Sequence, residues 1–313
     1  MSLKFTVLTP TYNRAHTLGN VYKCLEAQTL QNFEWLIVDD GSSDTTQDLV
    51  AGWSQTSPFT IRYIKQTNGG KHTALNRGIQ EAKGYFTVVL DSDDVIYPHC
   101  LERFLYHWNT IPEAQREHYA GVTGLCVDQH GELLGGKFPD NTFDSNAVEI
   151  TYVYCLADDR YGMQRTEVMR GFPFPVFEGE KFLTESVVWN RVARHYKNRY
   201  VNEVLCVKEY RADGLTRSIA KHRSNNPKGS SLYYQELLCA PEPFAFKTRV
   251  GIYTYYVRYA LHAKQRPLEV IRGSRKPLFA LLGWLLGTFL YTRDRFSPPR
   301  EHYLETQRYT LEK

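Results

Sequence analysis

Four short apolar runs in the first hundred residues each end in a polar cluster, and this repeat limits the possible folds more than any other feature. Phe5-Thr6-Val7-Leu8 leads into the loop Thr9-Pro10-Thr11-Tyr12-Asn13-Arg14, and Glu34-Trp35-Leu36-Ile37-Val38 leads into Asp39-Asp40-Gly41-Ser42-Ser43-Asp44. Thr60 to Ile64 is followed by the turn Asn68-Gly69-Gly70, and Phe86 to Leu90 by Asp91-Ser92-Asp93-Asp94. Between the runs, Leu18, Val21, Tyr22 and Leu25 recur at helical spacing, Ser43 or Asp44 can cap a second helix, and a third helix is expected over Thr73–Ala82. Such alternation predicts an α/β fold with a mostly parallel sheet flanked by helices, binding ligands at the carboxyl ends of its strands. All four clusters fall at such ends, so one pocket collects them.

The fourth cluster carries the sharpest chemistry. Asp91, Asp93 and Asp94 repel one another, and desolvating them is costly unless a cation compensates. Hard oxygen ligands with little His or Cys nearby favour Mg²⁺ or Mn²⁺, ions usually completed by substrate phosphates. The plainer alternative is a turn whose Asp and Ser side chains cap a helix starting near Pro98.

A length of 313 residues suits one large domain, or a domain plus a tail. Hydrophobic residues at 42% and charged residues at 23% place the chain among ordinary soluble proteins. Cys24, Cys100, Cys126, Cys155, Cys206 and Cys239 are scattered, which points to reduced core thiols rather than zinc ligands or disulfides. Met1-Ser2-Leu3-Lys4 runs straight into a strand without the apolar stretch of a signal peptide, so a cytoplasmic location is expected. The net charge of +4 hides an asymmetry: residues 1–190 carry 15 basic against 24 acidic side chains, and residues 191–313 carry 23 against 10. A basic final third suits a phosphate-bearing partner or an anionic membrane surface. No nucleic-acid motif is present, so no nucleic-acid partner is expected.

The ordered segments TPTYNR, VDDGSSD, NGGKHTALNRGI and LDSDD resemble the family 2 glycosyltransferases over roughly residues 4–215. The resemblance implies a GT-A fold in residues 1–215, with a basic loop and C-terminal helical extension in residues 216–313. It also implies a nucleotide-diphosphate-sugar donor, a divalent metal and inversion at the anomeric carbon. Thr9, Pro10, Tyr12 and Arg14 then lie against the nucleobase and its nucleotide. Asp40 accepts the imide N–H of the base, which favours uracil and hence a UDP-sugar, because a carboxylate accepts and does not donate. Lys71 and Arg77 are expected at the diphosphate, although Arg77 also suits an exposed helix face. Asp91, Ser92 and Asp93 belong to the donor site, with Asp93 and Asp94 as metal ligands.

Inversion needs a general base for the acceptor hydroxyl. The family places it at the start of a later helix, and Glu185 in Phe182-Leu183-Thr184-Glu185-Ser186 is the nearest match, with Glu178 and Glu180 as competitors. Residues 120–175, where such enzymes vary for the acceptor, contain an expected strand Gly121–Val127, a hairpin region Gly131–Gly136, the unassigned charges Asp158, Asp159 and Arg160, and Gly162-Met163-Gln164-Arg165, which resembles the strand beneath the acceptor. A glycan or lipid-linked acceptor in cell-surface polysaccharide synthesis is expected. The competing reading is a nucleotide-sugar-binding protein without turnover. A phosphohydrolase fits less well, since it has no use for base-binding groups such as Tyr12 and Asp40.

Beyond the core, Tyr210–Thr216 reads as a turn, and Lys221–Gly229 as either a basic lid or a solvated linker. His72 and His222 show no metal-ligand spacing. Pro277 to Tyr291 is a run of 15 uncharged residues, flanked by Arg272, Arg275 and Lys276 on one side and Arg293 and Arg295 on the other. As a helix it spans roughly 22 Å, short of the ~30 Å hydrocarbon core. Peripheral membrane contact through residues 273–295 is therefore expected, the alternative being packing against the catalytic domain or a second subunit.

Overall fold

The computed structural model describes residues 3–156, 159–209, 219–240, 244–266, 269–270 and 277–296. Asp158, the turn Tyr210–Thr216 with the boundary at 215, and Arg272, Arg275 and Lys276 lie outside the described residues. The four apolar runs form β1 (Phe5–Thr11), β2 (Phe33–Asp39), β3 (Thr60–Lys65) and β4 (Phe86–Val89). They lie parallel in the order β3-β2-β1-β4. Helices α1 (Ala15–Glu26), α2 (Thr46–Thr56) and α3 (Lys71–Glu81) connect them.

The sheet continues with β5 (Val95–Ile96), β6 (Tyr119–Asp128), β7 (Thr142–Ser145), β8 (Arg160–Arg165) and β9 (Lys197–Lys208). Strand β8 runs antiparallel between β4 and β6 and leads into α6 (Thr166–Gly171), whereas β6 and β9 are parallel. Strands β5 and β7 both pair antiparallel with β9. The sheet is thus mixed and mostly parallel on its first side, as expected. Its core joins Phe5, Val7, Trp35, Ile37, Phe86 and Val88 to Leu18, Leu25, Phe104 and Trp108 from α1 and from α4 (Cys100–Asn109).

Several boundaries differ from the sequence reading. Strand β1 stays paired with β2 as far as Thr11 opposite Asp39, so Thr9 and Pro10 are strand residues and the loop starts at Tyr12. Helix α3 opens at Lys71 because Gly70, at φ +96°, takes a backbone conformation that other residues avoid. The expected lid or linker at 221–229 is instead helical, shared by α8 (Ile219–Asn225) and α9 (Pro227–Leu238).

The chain folds into two compact units, and it passes between them more than once. One comprises Met1–Asn146, Asp158–Pro173 and His195–Tyr210 and holds the entire sheet. The other comprises Ala147–Ala157, Phe174–Arg194 and Arg211–Lys313. Segments before residue 215 therefore fold with the C-terminal helices. They include α5 (Ala147–Tyr152) and α7 (Ser186–Val192), whose apolar faces need a helical partner. Helices α10 (Phe246–His262) and α11 (Pro277–Phe296) complete this unit.

In the sheet unit, β9 is tied to α4 by Glu203, which accepts from Arg103 Nε at 2.8 Å and contacts His107 Nε2 at 2.8 Å. The hydrogen bond from Arg103, aided by His107, outweighs partial burial and holds the Glu203 carboxyl down to about 2. A depressed acid stabilises the fold above its unfolded value of 4.5, and that stabilisation disappears as pH falls toward about 2. Glu203→Gln should therefore flatten the dependence of melting temperature on pH across that window, with little change in slope above it. Thermal melts from neutral to strongly acidic pH check this.

Candidate functional site

The first two strand-end loops are fastened to each other. Asn13 donates its backbone N–H to Ser42 Oγ at 2.8 Å, and Ser43 N–H returns a bond to Asn13 Oδ1 at 2.8 Å. Asn13 adopts φ 53°, a left-handed turn conformation that asparagine tolerates. Asp44 bridges two helix starts, accepting from Ala15 N–H at 3.0 Å and Thr46 N–H at 3.1 Å, so it does act as a cap. The Tyr12 ring stands 50% exposed beside this junction. Arg14 opens α1, its carbonyl accepting from Thr17 and Leu18. Thr9 and Pro10 are buried within β1, and the Thr9 hydroxyl accepts Trp35 Nε1–H at 2.9 Å. The Thr9 side chain is thus spent on the core rather than offered on a loop.

Asp40 requires a larger correction. Its buried carboxylate accepts four hydrogen bonds from residues 66–70: Gln66 Nε2 at 2.8 Å, Asn68 Nδ2 at 3.0 Å, and the backbone N–H groups of Gly69 and Gly70 at 2.9 and 2.7 Å. Four bonds fill the acceptor capacity of a carboxylate, which leaves no site for a base N–H. Asp40 instead folds the third loop onto the second. Asp39 is likewise occupied, by Ser42 N–H at 2.7 Å and by the Tyr63 hydroxyl. His72, at the start of α3, is buried beside Asp40. Burial pushes its imidazole pKa down.

At the end of β4, two lysines meet the three carboxylates. Lys71 Nζ lies 2.6 Å from Asp91 Oδ1. Lys208, the last residue of β9, pairs with Asp94 and lies 3.8 Å from Asp91 Oδ2. Burial raises the Asp91 carboxyl, but Lys71 and then Lys208 pull it down to about 2. Burial pushes Asp94 up, with Lys208 pulling back, so Asp91 is the first of the two to ionise. Asp93 makes no hydrogen bond or ion pair among the described residues, and burial followed by repulsion from Asp91 raises its pKa. Ser92 is buried between them.

Arg77 does not join this group. It is half-exposed and pairs with Glu81 at 3.1 Å on its own helix, the exposed-face alternative raised above. Sequence reading missed Lys208, Gln66 and Asn68. The available signal for Lys208 was a lone basic residue closing the apolar run Val204-Leu205-Cys206-Val207.

Among the described residues, no three His, Cys, Asp or Glu side chains converge as a ready-made metal site. The donor set nonetheless fits a small hard cation. Mg²⁺ or Mn²⁺ is commonly held by one or two carboxylates together with substrate phosphate oxygens, and Asp93 is a carboxylate with no hydrogen bond or ion pair among the described residues.

In the helical unit, Glu185 occupies the position that opens α7, its carbonyl accepting from Val188 N–H at 2.9 Å. Its competitor Glu180 is committed elsewhere. It accepts from the backbone N–H groups of Lys228 and Gly229 at 2.8 and 2.9 Å, capping α9. Asn226 reciprocates, with its Oδ1 accepting from Lys181 and Phe182 N–H at 2.9 and 3.1 Å. This clasp anchors the segment leading to Glu185, and Phe182 stacks on His222 with ring centroids 5.3 Å apart.

Residues 6–155 match the family described as Glycosyl transferase family 2. This stretch is a family 2 glycosyltransferase domain. It includes the Asp39–Asp40, Lys71 and Asp91–Asp94 groups, while Glu185 and Lys208 lie beyond it. The chain is 36% identical over 147 residues to the uncharacterized glycosyltransferase alr2836 of Nostoc sp.. That match covers 47% of this chain and 42% of the relative, so the chain spans less than half of the relative's length. Among solved structures, the chain is similar to S. aureus TarS 1–349 in complex with UDP-GlcNAc, with 18% identity and a TM-score of 0.59 over 94% of this chain and 91% of that one. It is also similar to the mannosyltransferase PcManGT from Pyrobaculum calidifontis in complex with GDP-Man and Mn²⁺, with 18% identity and a TM-score of 0.55 over 99% and 86%. At such identities the likeness concerns the fold, which is of GT-A type.

The role of Asp40 in this glycosyltransferase domain can be tested without any nucleotide. Asp40→Asn places an amide nitrogen against donors that need an acceptor. Unfolding stability in urea should fall by about 2–4 kcal/mol, the scale of one or two hydrogen bonds to a charged group. A residue that only reads the base would leave that stability unchanged.

Proposed function

We propose that the chain is a metal-dependent inverting glycosyltransferase. It moves a sugar from a UDP-sugar to a hydroxyl of a glycan or lipid-linked acceptor in cell-surface polysaccharide synthesis, working peripherally at the inner face of the cell membrane. The observation that carries this reading is Asp93, a partly buried carboxylate that makes no hydrogen bond or ion pair among the described residues and lies beside two carboxylates that each have a lysine. Burial and repulsion from Asp91 outweigh the attraction of Arg14, Lys71 and Lys208 and raise the Asp93 pKa, a cost that a bound cation would recover. Asp93, with Asp94, would hold Mg²⁺ or Mn²⁺, which when bound offsets the charge growing on the departing diphosphate. The Mn²⁺ in the PcManGT complex supports this assignment, and the UDP-GlcNAc in the TarS complex supports a UDP-sugar.

Each residue then has a task. The Tyr12 ring offers an aromatic face to the base, and Asp40 shapes the loop at 66–70 instead of reading the base. Lys71 and Lys208 supply positive charge for the diphosphate through Asp91 and Asp94, which hold their ammonium groups in place. Glu185 takes the proton of the acceptor hydroxyl as its oxygen bonds to the anomeric carbon and the bond to the diphosphate oxygen breaks.

Calorimetry with UDP, in Mn²⁺ and in chelator, tests the donor site. UDP should bind at least about tenfold more weakly in chelator, about 1.4 kcal/mol, and Asp93→Asn should abolish the difference. Equal affinity in both conditions overturns the metal reading, and equal affinity for GDP overturns the choice of UDP. For the base, Glu185→Gln should lower transfer by about 10²–10⁴-fold while UDP affinity is retained. Unchanged turnover would move the base elsewhere. A wild-type protein that binds UDP-sugars but transfers none would instead be a binding protein.

A further inference from the structure

Helix α11 buries one face and leaves the other bare. Ala280, Gly283, Gly287 and Asp294 are buried against α10. The fit is close: a Cβ on Gly283 would lie 2.7 Å from Tyr253 Cβ, and one on Gly287 2.6 Å from the Thr254 carbonyl oxygen. A buried ion pair locks the far end, where Arg258 donates to both Asp294 oxygens at 2.6 and 3.0 Å and His262 Nε2 lies 3.1 Å away. The opposite side carries Leu278, Leu281, Leu285, Phe289 and Phe296, exposed by 60, 59, 65, 66 and 84%. Steps of three, four, four and seven residues put them in one stripe along the helix. Phe246, itself 60% exposed, extends the apolar surface through ring contact with Phe279 at 5.3 Å.

An apolar stripe of this size marks an interaction surface. We propose that it seats in the interfacial layer of an anionic lipid membrane, with α11 lying in the plane of the surface. Among the described residues, no helix is long and apolar enough to cross a membrane. Charge selects the occupant. Arg293 and Arg295 are exposed at the carboxyl end, and Lys247 is exposed beside Phe246, which meets Phe279 near the amino end. Two copies pairing stripe to stripe would bring basic ends together in either orientation. An anionic surface attracts both ends at once. The inference extends the peripheral location proposed above, yet none of its residues belongs to the donor loops, so the two readings can fail separately.

Flotation of the full chain with phosphatidylcholine vesicles, with and without phosphatidylglycerol, tests it. The protein should float with the anionic vesicles alone and be released by high salt. Removing both charges in Arg293→Gln/Arg295→Gln should weaken partitioning by about thirtyfold, and Leu285→Glu/Phe289→Glu should abolish it. Both double variants should keep the wild-type melting temperature and UDP affinity. A wild-type chain that stays in solution with anionic vesicles overturns the proposal. Light scattering then identifies the cover: a dimer broken by Leu285→Glu/Phe289→Glu means a second copy, and a monomer means this chain's own residues. Flotation without UDP binding would overturn the donor assignment and leave the membrane surface standing.

Discussion

Concentrating carboxylates at the carboxyl ends of β2 and β4 is the constraint that the sheet unit is built around. Asp39, Asp40, Asp91, Asp93 and Asp94 all lie where parallel strands stop, and each desolvated carboxylate needs a compensating group. The chain meets this need in three ways. Asp40 is filled by hydrogen bonds from residues 66–70, and Asp39 accepts from Ser42 N–H and the Tyr63 hydroxyl, which gives the adjoining loops their shape. Asp91 and Asp94 receive lysines from α3 and β9, segments far apart in the sequence. Asp93 makes no hydrogen bond or ion pair among the described residues, and burial and repulsion from Asp91 raise its pKa.

The helical unit applies similar physics to backbone groups. Helix starts leave N–H groups without partners, and α9 assigns two of them to Glu180. Asn226 returns the favour to the segment before α7. Gly229 permits this approach, since a Cβ there would sit 2.8 Å from Leu183 Cδ1. The same unit buries a whole Arg258 side chain. A bidentate carboxylate and the rings of Tyr255 and Tyr259 make that burial tolerable.

Local chemistry decided much of what can be read without coordinates. Short apolar runs, glycines at turns and the order of four polar motifs are local properties, and from them the α/β class, the first four strands and the grouping at strand ends follow. The resemblance carried by those motifs named the family. Glu185 at a helix start was legible for the same reason, because helix initiation depends on a few adjacent residues.

What required the tertiary structure was partner choice. An aspartate in a DD pair looks the same whether it faces a ligand or the backbone of a loop nearly thirty residues away. Only folding showed that Asp40 is filled by residues 66–70. Lys208 was invisible as a site residue because its meeting with Asp94 spans 114 positions and comes from β5 pairing antiparallel with β9. The division into units was also hidden, since α5 and α7 join the C-terminal helices through apolar faces that any helix could have covered. Sequence alone determined which groups had to be compensated. The fold decided what compensates each of them, because hydrogen bonds and ion pairs depend on proximity in space, which sequence separation does not specify.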